Sequence, residues 1–362
     1  MLKTSIAMKT REEEAAAALR TVLEQVPAIT AVDMRFEPFV HRDEVAIAVH
    51  FKVSGKPQTL ACEVNASGQP RHVRNTLLQL RNAQAHRTQT PAAIPVLIAP
   101  YLSPEAQALC REQDVSFLDL EGNVRIVFDG IFIERQVASK PVTERRELRS
   151  MFKPKSAQVL RVMLRDPARA WRVTELAEAA DVSLGHVSNV RNSLLDREWA
   201  SVSDAGLYLS EPDALLDDWR GAYEPPAGKR QGFYTALHGS AFEDAARQVL
   251  RAEGEAGRAV FASFSAAHWL APYGRTGTQY FHADEPGLQR LASALKLSPA
   301  LKGENVVVNV LKEPGLFLDA VEPAPGAFCT GAVQTYLDLS SAGERGRESA
   351  DHLRQEALQW LK

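Results

Sequence analysis

Polar but almost uncharged side chains recur through the run SLGHVSNVRNSLLD, residues 183–196. Side chains of Ser, Asn, His and Arg can hydrogen-bond the edges of bases in the major groove of DNA. Gly185 lacks a side chain, so the backbone at that point can approach DNA closely. The residues that we expect to contact bases are Ser183, Gly185, His186, Ser188, Asn189, Arg191 and Asn192.

A helical hairpin must position these side chains. Thr174 is placed to cap a first helix, and Asp181-Val182 forms the turn before Ser183 caps a second helix over residues 184–196. Apolar residues at 187, 190 and 194 share one face of the second helix at i, i+3 and i+7. We therefore expect that face to pack inward and the polar side chains, His186 included, to face solvent, with Arg191 at the margin.

Positive charge collects just before the hairpin, although the whole chain has a net charge of -3. Ten Lys and Arg stand against three Asp and Glu between Lys140 and Arg172. Local basic excess beside a candidate recognition helix is the electrostatic pattern of phosphate contact. We expect Lys153, Lys155 and Arg172 to hold phosphates of double-stranded DNA.

Residues 144–223 follow the order of a winged helix-turn-helix domain. KSAQVLRVMLRD predicts an amphipathic helix, TELAEAA a second, and residues 184–196 the third; ASVSDAGLYLS then predicts two short strands, the wing. The run 151–199 and the later LSEPDALLDDW (209–219) resemble the winged-helix segment of the AbiEi-type regulators, antitoxins of type IV toxin-antitoxin systems.

Two further stretches carry this resemblance. FLDLEGNVRI (117–126) is similar to the end of the family's N-terminal domain, and residues 331–354 are similar to its C-terminal one. The resemblance implies a bacterial DNA-binding transcriptional regulator, with repression of its own operon as one role and a cognate toxin protein as a possible partner. An antitoxin that acts by protein–protein contact, mainly through its C-terminal domain, stays open as an alternative.

Residues 1–143 predict a helix, three strands, a helix and a strand, an order that resembles the core of the PD-(D/E)XK nucleases. Glu63-Val64-Asn65 stands where those enzymes carry Glu-x-Lys at the end of a strand. Their chemistry needs two carboxylates on Mg²⁺ and a Lys beside the attacking water. Asn65 replaces the Lys, so we expect an inactive domain with no cofactor or metal. A nuclease that holds Mg²⁺ with Glu63 and Asp43 or Glu44 stays open.

Residues 229–362 alternate helix and strand and predict a second α/β domain. We expect strands near 258–264, 278–283, 304–311 and 316–321 and a last helix from about Glu344, and EPPAG (224–228) marks the boundary before this domain. The predicted fold class is therefore a multidomain α/β protein: a nuclease-like mixed α/β domain, a central winged helix-turn-helix and a C-terminal α/β domain.

Composition sets the class of protein. At 362 residues, with 45% hydrophobic and 24% charged residues, the chain is long enough for two or three globular domains. Cys62, Cys110 and Cys329 are too few and too far apart for a disulfide framework, so we expect buried, reduced thiols. No apolar run reaches membrane length, and we expect a cytoplasmic protein without a membrane partner, either monomer or homodimer.

Overall fold

A computed structural model describes residues 2–36, 46–86, 93–138, 140–251, 257–274 and 276–360. The chain divides into two units, Met1–Glu144 with Leu195–Glu198, and Arg145–Leu194 with Trp199–Lys362. The described residues are mixed α/β with several sheets. Asp43 and Glu44, the alternative metal ligands, lie outside the described residues.

One sheet organises the first unit, and its seven strands lie side by side in chain order. Strands β3 to β5 pair in parallel, and the flanking pairs on both sides are antiparallel. The elements are α1 (Leu2–Glu24), β1 (Ile29–Phe36), β2 (Ile47–Val53), β3 (Lys56–Val64), α2 (Pro70–His86), β4 (Ile94–Ala99), α3 (Pro104–Glu112), β5 (Ser116–Asp119), β6 (Val124–Phe128) and β7 (Ile131–Arg135).

Helices cover both faces of this sheet because side chains alternate along its strands. Leu60 and Cys62 of β3 pack in one apolar cluster with Leu19 of α1. Ala61, between them in sequence, packs in a second cluster with Val73 of α2. The predicted mixed α/β class is confirmed for this unit, and helices pack on both faces of its sheet.

The hairpin between β2 and β3 has a tight two-residue turn. Val53 pairs with Lys56, so Ser54 and Gly55 alone form the turn. Both have positive φ angles, 48° and 89°, which suits a two-residue turn and which glycine adopts without strain.

Asp119 organises the turn between β5 and β6. Its carboxylate is fully buried and accepts four hydrogen bonds, from the backbone N–H groups of Leu102, Glu121 and Asn123 and from Asn123 Nδ2, at 2.7–3.1 Å. Buried carboxylates need such partners to offset their loss of solvent. Within FLDLEGNVRI, Asp119 and Asn123 therefore stabilise this turn through buried hydrogen bonds.

The second unit contains a helical segment followed by another α/β layer. Its elements are α4 (Val142–Met151, which begins in the first unit), α5 (Pro154–Arg165), α6 (Val173–Ala179), α7 (Leu184–Asp196), β8 (Ala200–Ser203), β9 (Gly206–Leu209), α8 (Pro212–Gly221), β10 (Gly228–Tyr234), α9 (Gly239–Leu250), β11 (Ala259–Phe261), α10 (Ser263–Leu270), β12 (Gln279–Ala283), α11 (Glu285–Ala294), β13 (Ser298–Pro299), β14 (Val306–Leu311), the 3₁₀ helix η1 (Pro314–Asp319), α12 (Ala332–Ser340) and α13 (Gly343–Ala357).

The C-terminal sheet has the strand order β11-β12-β14-β10-β13, in which β12 and β14 are parallel. Predicted strands near 258–264, 278–283 and 304–311 are present, but the strand predicted at 316–321 is wrong: residues 314–319 form η1. Pro314 lacks the N–H that a strand ladder needs, and it suits the first turn of a helix. Strand β10 and helix α11 were not predicted.

The helical segment and the C-terminal sheet belong to one unit, whereas the sequence predicts a boundary at 224–228. Arg354 of α13 donates to Asp213 of α8 at 2.8 Å, and Arg220 of α8 donates to the Tyr336 hydroxyl of α12 at 3.1 Å. Hydrogen bonds and ion pairs across the predicted boundary explain why the two segments group together.

The cysteines and the helices bear on two expectations from composition. All three cysteines are free and buried, as predicted. Burial raises the pKa of each thiol, that of Cys110 to about 12, so the uncharged thiol form dominates at neutral pH.

Among the described residues, each helix is too short or too polar to cross a bilayer.

Candidate nucleic-acid interface

Helix α6 opens the hairpin, and its cap differs from the prediction. The N-cap residue is Arg172, whose backbone N–H donates to Glu175 Oε2 at 3.3 Å. Thr174, predicted as the cap, lies inside the first turn, so that prediction is wrong. The carboxylate of Glu175, three residues after the cap, favours the earlier start because it closes back on the Arg172 N–H.

The turn and the second helix agree with the sequence. Asp181 has a φ of +50°, a left-handed conformation that Asp tolerates better than most residues. Ser183 caps α7 by accepting from the His186 N–H at 3.3 Å, and α7 spans residues 184–196 as predicted. Its side chains at 187, 190 and 194 are buried. Local capping and periodicity thus fix which face of α7 reaches solvent.

The outward face of α7 is an exposed polar row. Gly185, Ser188, Asn189 and Asn192 are exposed, as is the capping Ser183, while Arg191 is half-buried at the margin. Ser188 Oγ donates to the Leu184 carbonyl at 3.0 Å, a local bond that leaves its oxygen lone pairs free to accept. We call Ser188, Asn189 and Asn192 the polar row.

His186 does not face solvent freely, which corrects one expectation. Its ring is half-buried, and Nε2 lies 3.1 Å from Ser156 Oγ of α5 in a hydrogen bond whose donor depends on the tautomer. Position 186 lies on the flank between the buried stripe and the polar row, so the ring can turn back toward α5. In this structure His186 holds α7 against α5.

Leu184 is a surface residue that the sequence did not single out. It precedes Val187 by three positions, which would place it on the buried stripe, yet 52% of its surface is exposed. The first turn of α7 therefore presents an apolar side chain to solvent. N-terminal residues of recognition helices touch bases, and an apolar side chain can contact the thymine methyl group.

The basic run before the hairpin does not form one surface. Lys153, Lys155 and Arg172 are exposed, and Lys155 Nζ donates to the Asp181 carbonyl at the turn before α7 at 3.3 Å. Arg161 is only 5% exposed, and both it and Arg165 pair with Asp319. The sequence count therefore overstates the charge available to phosphates.

A short β sheet follows α7. Strands β8 and β9 pair antiparallel, and Trp171 extends them by exchanging backbone hydrogen bonds of 2.8 and 2.9 Å with Leu207. The Arg169 guanidinium lies 3.6 Å from the centre of the Trp171 ring, a cation–π contact. Ser203 is exposed at the hairpin tip. The hairpin and Trp171 thus form a third structural element beside the two helices.

The candidate nuclease residues lie at the end of β3 in the first unit. Asn65 follows the strand, and its Oδ1 accepts from Thr76 Oγ1 of α2 at 2.9 Å. Glu63 is half-buried; burial raises the pKa of its carboxyl, the Ala46 backbone N–H lowers it, and the charge of Glu12 raises it further. Within the described residues no group of three or more His, Cys, Asp or Glu is arranged to hold a metal ion.

The raised pKa of Glu63 predicts a pH-dependent stability difference. Stability falls as pH rises from the ordinary Glu pKa of about 4.3 through the higher folded value, because ionisation costs more in the folded state. We expect Glu63→Gln to raise the free energy of unfolding at pH 7, and the gain over wild type to disappear below about pH 4. Thermal unfolding by calorimetry across this pH range measures it, with the exposed Glu14→Gln as control.

Magnesium separates the two readings of Glu63. If Glu63 holds Mg²⁺ with other carboxylates, the ion stabilises the wild-type protein and not Glu63→Gln, since a ligand that binds the folded state raises its stability. An inactive site predicts no Mg²⁺ effect on either protein. If Glu63→Gln is less stable than the wild type at pH 7, the raised pKa of Glu63 is contradicted.

Comparison of this chain with protein-family models, with curated proteins and with solved structures finds no match. The similarity to AbiEi-type regulators stays a prediction from the sequence, as does the similarity to nucleases. The function has to be inferred from the chain's own residues and their geometry.

Proposed function

We propose that residues 144–223 form a winged helix-turn-helix that binds double-stranded DNA, and that the protein is a sequence-specific transcriptional regulator. The observation that carries this proposal is the exposed polar row on α7, Ser188, Asn189 and Asn192, presented just after a tight turn. Amide and hydroxyl side chains without charge suit base edges, and Asn pairs with adenine through two hydrogen bonds.

The flanking cations supply the second part of the proposed interface. Lys155 contacts the carbonyl of Asp181 in the turn that leads into α7, so its ammonium group lies beside the helix start. Lys153 and Arg172 are exposed on the neighbouring helix ends. Phosphate contacts of this kind would set the register of the protein on DNA, while the polar row would distinguish sequences. Such a regulator would act on DNA in the cytoplasm.

The test is a comparison of two substitutions on two duplexes. We expect Asn189→Ala to weaken binding to the cognate upstream DNA by about 1–3 kcal/mol, roughly 5- to 150-fold, with little effect on a scrambled duplex. Lys155→Ala should weaken binding to both duplexes alike and lower the slope of log K against log salt by about 1. Fluorescence anisotropy at two salt concentrations measures both.

Lys302→Ala is the matched control, because Lys302 is an exposed lysine between β13 and β14 of the C-terminal sheet. It should leave binding to either duplex unchanged. Equal losses from Asn189→Ala and Lys155→Ala on both duplexes would contradict the division into base and phosphate contacts. Wild-type protein that does not distinguish the two duplexes would overturn the proposal of a sequence-specific regulator.

A further inference from the structure

A largely apolar pocket of about 190 Å³ lies within the second unit. Its walls come from the start of α5, from α8 and the chain after it, and from η1. A water molecule takes about 30 Å³ of liquid volume, so the pocket can hold a small organic molecule. The described residues thus include a ligand-sized space beside the proposed DNA-binding segment.

Flat apolar groups form much of the wall. Phe152 and Trp219 both line the pocket, and their rings stack with centroids 5.3 Å apart and an angle of 3° between the planes. Pro225 and Pro226 line it from the segment after α8. Stacked rings and proline rings offer flat, rigid surfaces, which favour a flat ring in the ligand.

The polar end of the pocket is a connected network. Gln334 Oε1 accepts from Arg161 Nη1 at 3.3 Å, and Gln334 Nε2 donates to the Tyr223 hydroxyl at 2.8 Å. Tyr223 in turn donates to Asp338, which also accepts from Gln334 at 3.0 Å and lies 3.3 Å from His282. Tyr223, Gln334 and Asp338 therefore satisfy one another.

Arg161 is a buried cation that lines this end of the pocket. Its Nε has no hydrogen-bond partner among the residues that the structure describes, but that atom is itself buried and is shielded from the open space of the pocket. The nearest acid, Asp319 Oδ2, is 3.8 Å away, within ion-pair range but beyond a hydrogen bond, and Asp319 is shared with Arg165. Burial lowers the pKa of Arg161 and the charge of Asp319 raises it. A buried cation held by one long hydrogen bond and one shared carboxylate favours an anionic acceptor.

We propose that this pocket binds a small aromatic carboxylate, with the carboxylate accepting from Arg161 and the ring against Phe152 and Trp219. The ligand would control DNA binding, because Lys153 and Pro154 line the same pocket and Lys155 follows them on α5. That regulatory role rests on the proposed function. The binding itself does not, since it is measured on the protein without DNA.

The probes are benzoate, phenylacetate and indole-3-acetate, each compared with its primary amide, titrated into the full chain by calorimetry. We expect at least one acid to bind more tightly than about 1 mM and its amide to bind at least about tenfold more weakly. Arg161→Gln should weaken the acid at least about tenfold. Asp319 keeps Arg165 as a partner in that variant, which limits the loss of stability.

A second pair of variants covers the case in which Arg161→Gln does not fold. Ala222 is half-buried and lines the pocket, so Ala222→Leu should fill it and weaken the acid, while Ala294→Leu on the exposed side of α11 should not. The proposal is overturned if none of the three acids binds, if the amides bind as well as the acids, or if Ala222→Leu and Ala294→Leu bind alike. If the wild-type protein binds neither duplex in the anisotropy test, the proposed regulatory role falls. The proposed ligand binding is tested separately and would still stand.

Discussion

Replacing Asp319 with alanine should lower the free energy of unfolding of the second unit by about 3–5 kcal/mol, the cost of removing one partner from a buried ion pair. Asp319 is 5% exposed and accepts from Arg165, and its other oxygen lies 3.8 Å from the buried Arg161. Without the carboxylate, Arg161 loses its ion-pair partner and keeps a hydrogen bond to the neutral Gln334 at 3.3 Å. The loss should therefore far exceed that of a surface substitution.

Tryptophan fluorescence during denaturation measures this loss selectively. All five tryptophans, at 171, 199, 219, 269 and 360, belong to the second unit. Asp166→Ala is the control, because Asp166 is exposed and follows α5 directly, and it should change stability by no more than about 0.5 kcal/mol. Adding Arg161→Met to Asp319→Ala should recover part of the loss, since both buried charges are then gone. Equal effects of Asp319→Ala and Asp166→Ala would contradict the role of the ion pair.

Replacing Gly206 with valine should cost about 2–4 kcal/mol and disrupt the small sheet formed by β8, β9 and Trp171. Gly206 has a φ of +141°, which side-chain-bearing residues rarely adopt. A Cβ atom there would lie 2.4 Å from the Trp171 carbonyl oxygen, the same atom that accepts from the Leu207 N–H. Backbone strain and a steric clash therefore act on one hydrogen-bonded pair.

Gly221→Ala provides the comparison for Gly206. Its Cβ would meet nothing within 4 Å, and it ends α8, so alanine should be neutral or stabilising by up to about 1 kcal/mol. The same denaturation experiment compares the stabilities of the two variants. A Gly206→Val protein as stable as Gly221→Ala would show that the hairpin can shift without loss, contrary to the contacts described above.

Local signals made α7 predictable from the sequence. Its cap at Ser183, its buried stripe and its end depend on residues within one or two turns, and both bounds agree with the structure. The order of elements in the first unit was predictable for the same reason, because each strand and helix has its own period. The DNA-contacting roles of these residues remain predictions.

Long-range partners were not visible in the sequence. Arg161 was counted as surface charge, but its partner Gln334 lies 173 residues later, and burial depends on that contact. His186 turned from the polar face because Ser156, 30 residues earlier, accepts or donates to its ring. The strand predicted at 316–321 is wrong because a short, almost continuous apolar run can be a buried strand or a buried helical turn, and here Pro314 starts a 3₁₀ helix. Sequence periodicity predicts which face of a helix or strand is apolar, but it does not predict which distant residues pack on that face.

The contacts of α8 with α12 and α13 bear on how the chain could be divided or recombined. Arg354 reaches Asp213, and Arg220 reaches Tyr336, so the proposed DNA-binding segment shares its supporting side chains with the last 30 residues of the chain. A chimera that transplants only residues 144–223 into another protein would leave these charged partners unmatched and expose the apolar faces between them. The proposed DNA specificity should therefore be changed by altering side chains on the surface of α7. A transferable module would have to contain the whole second unit.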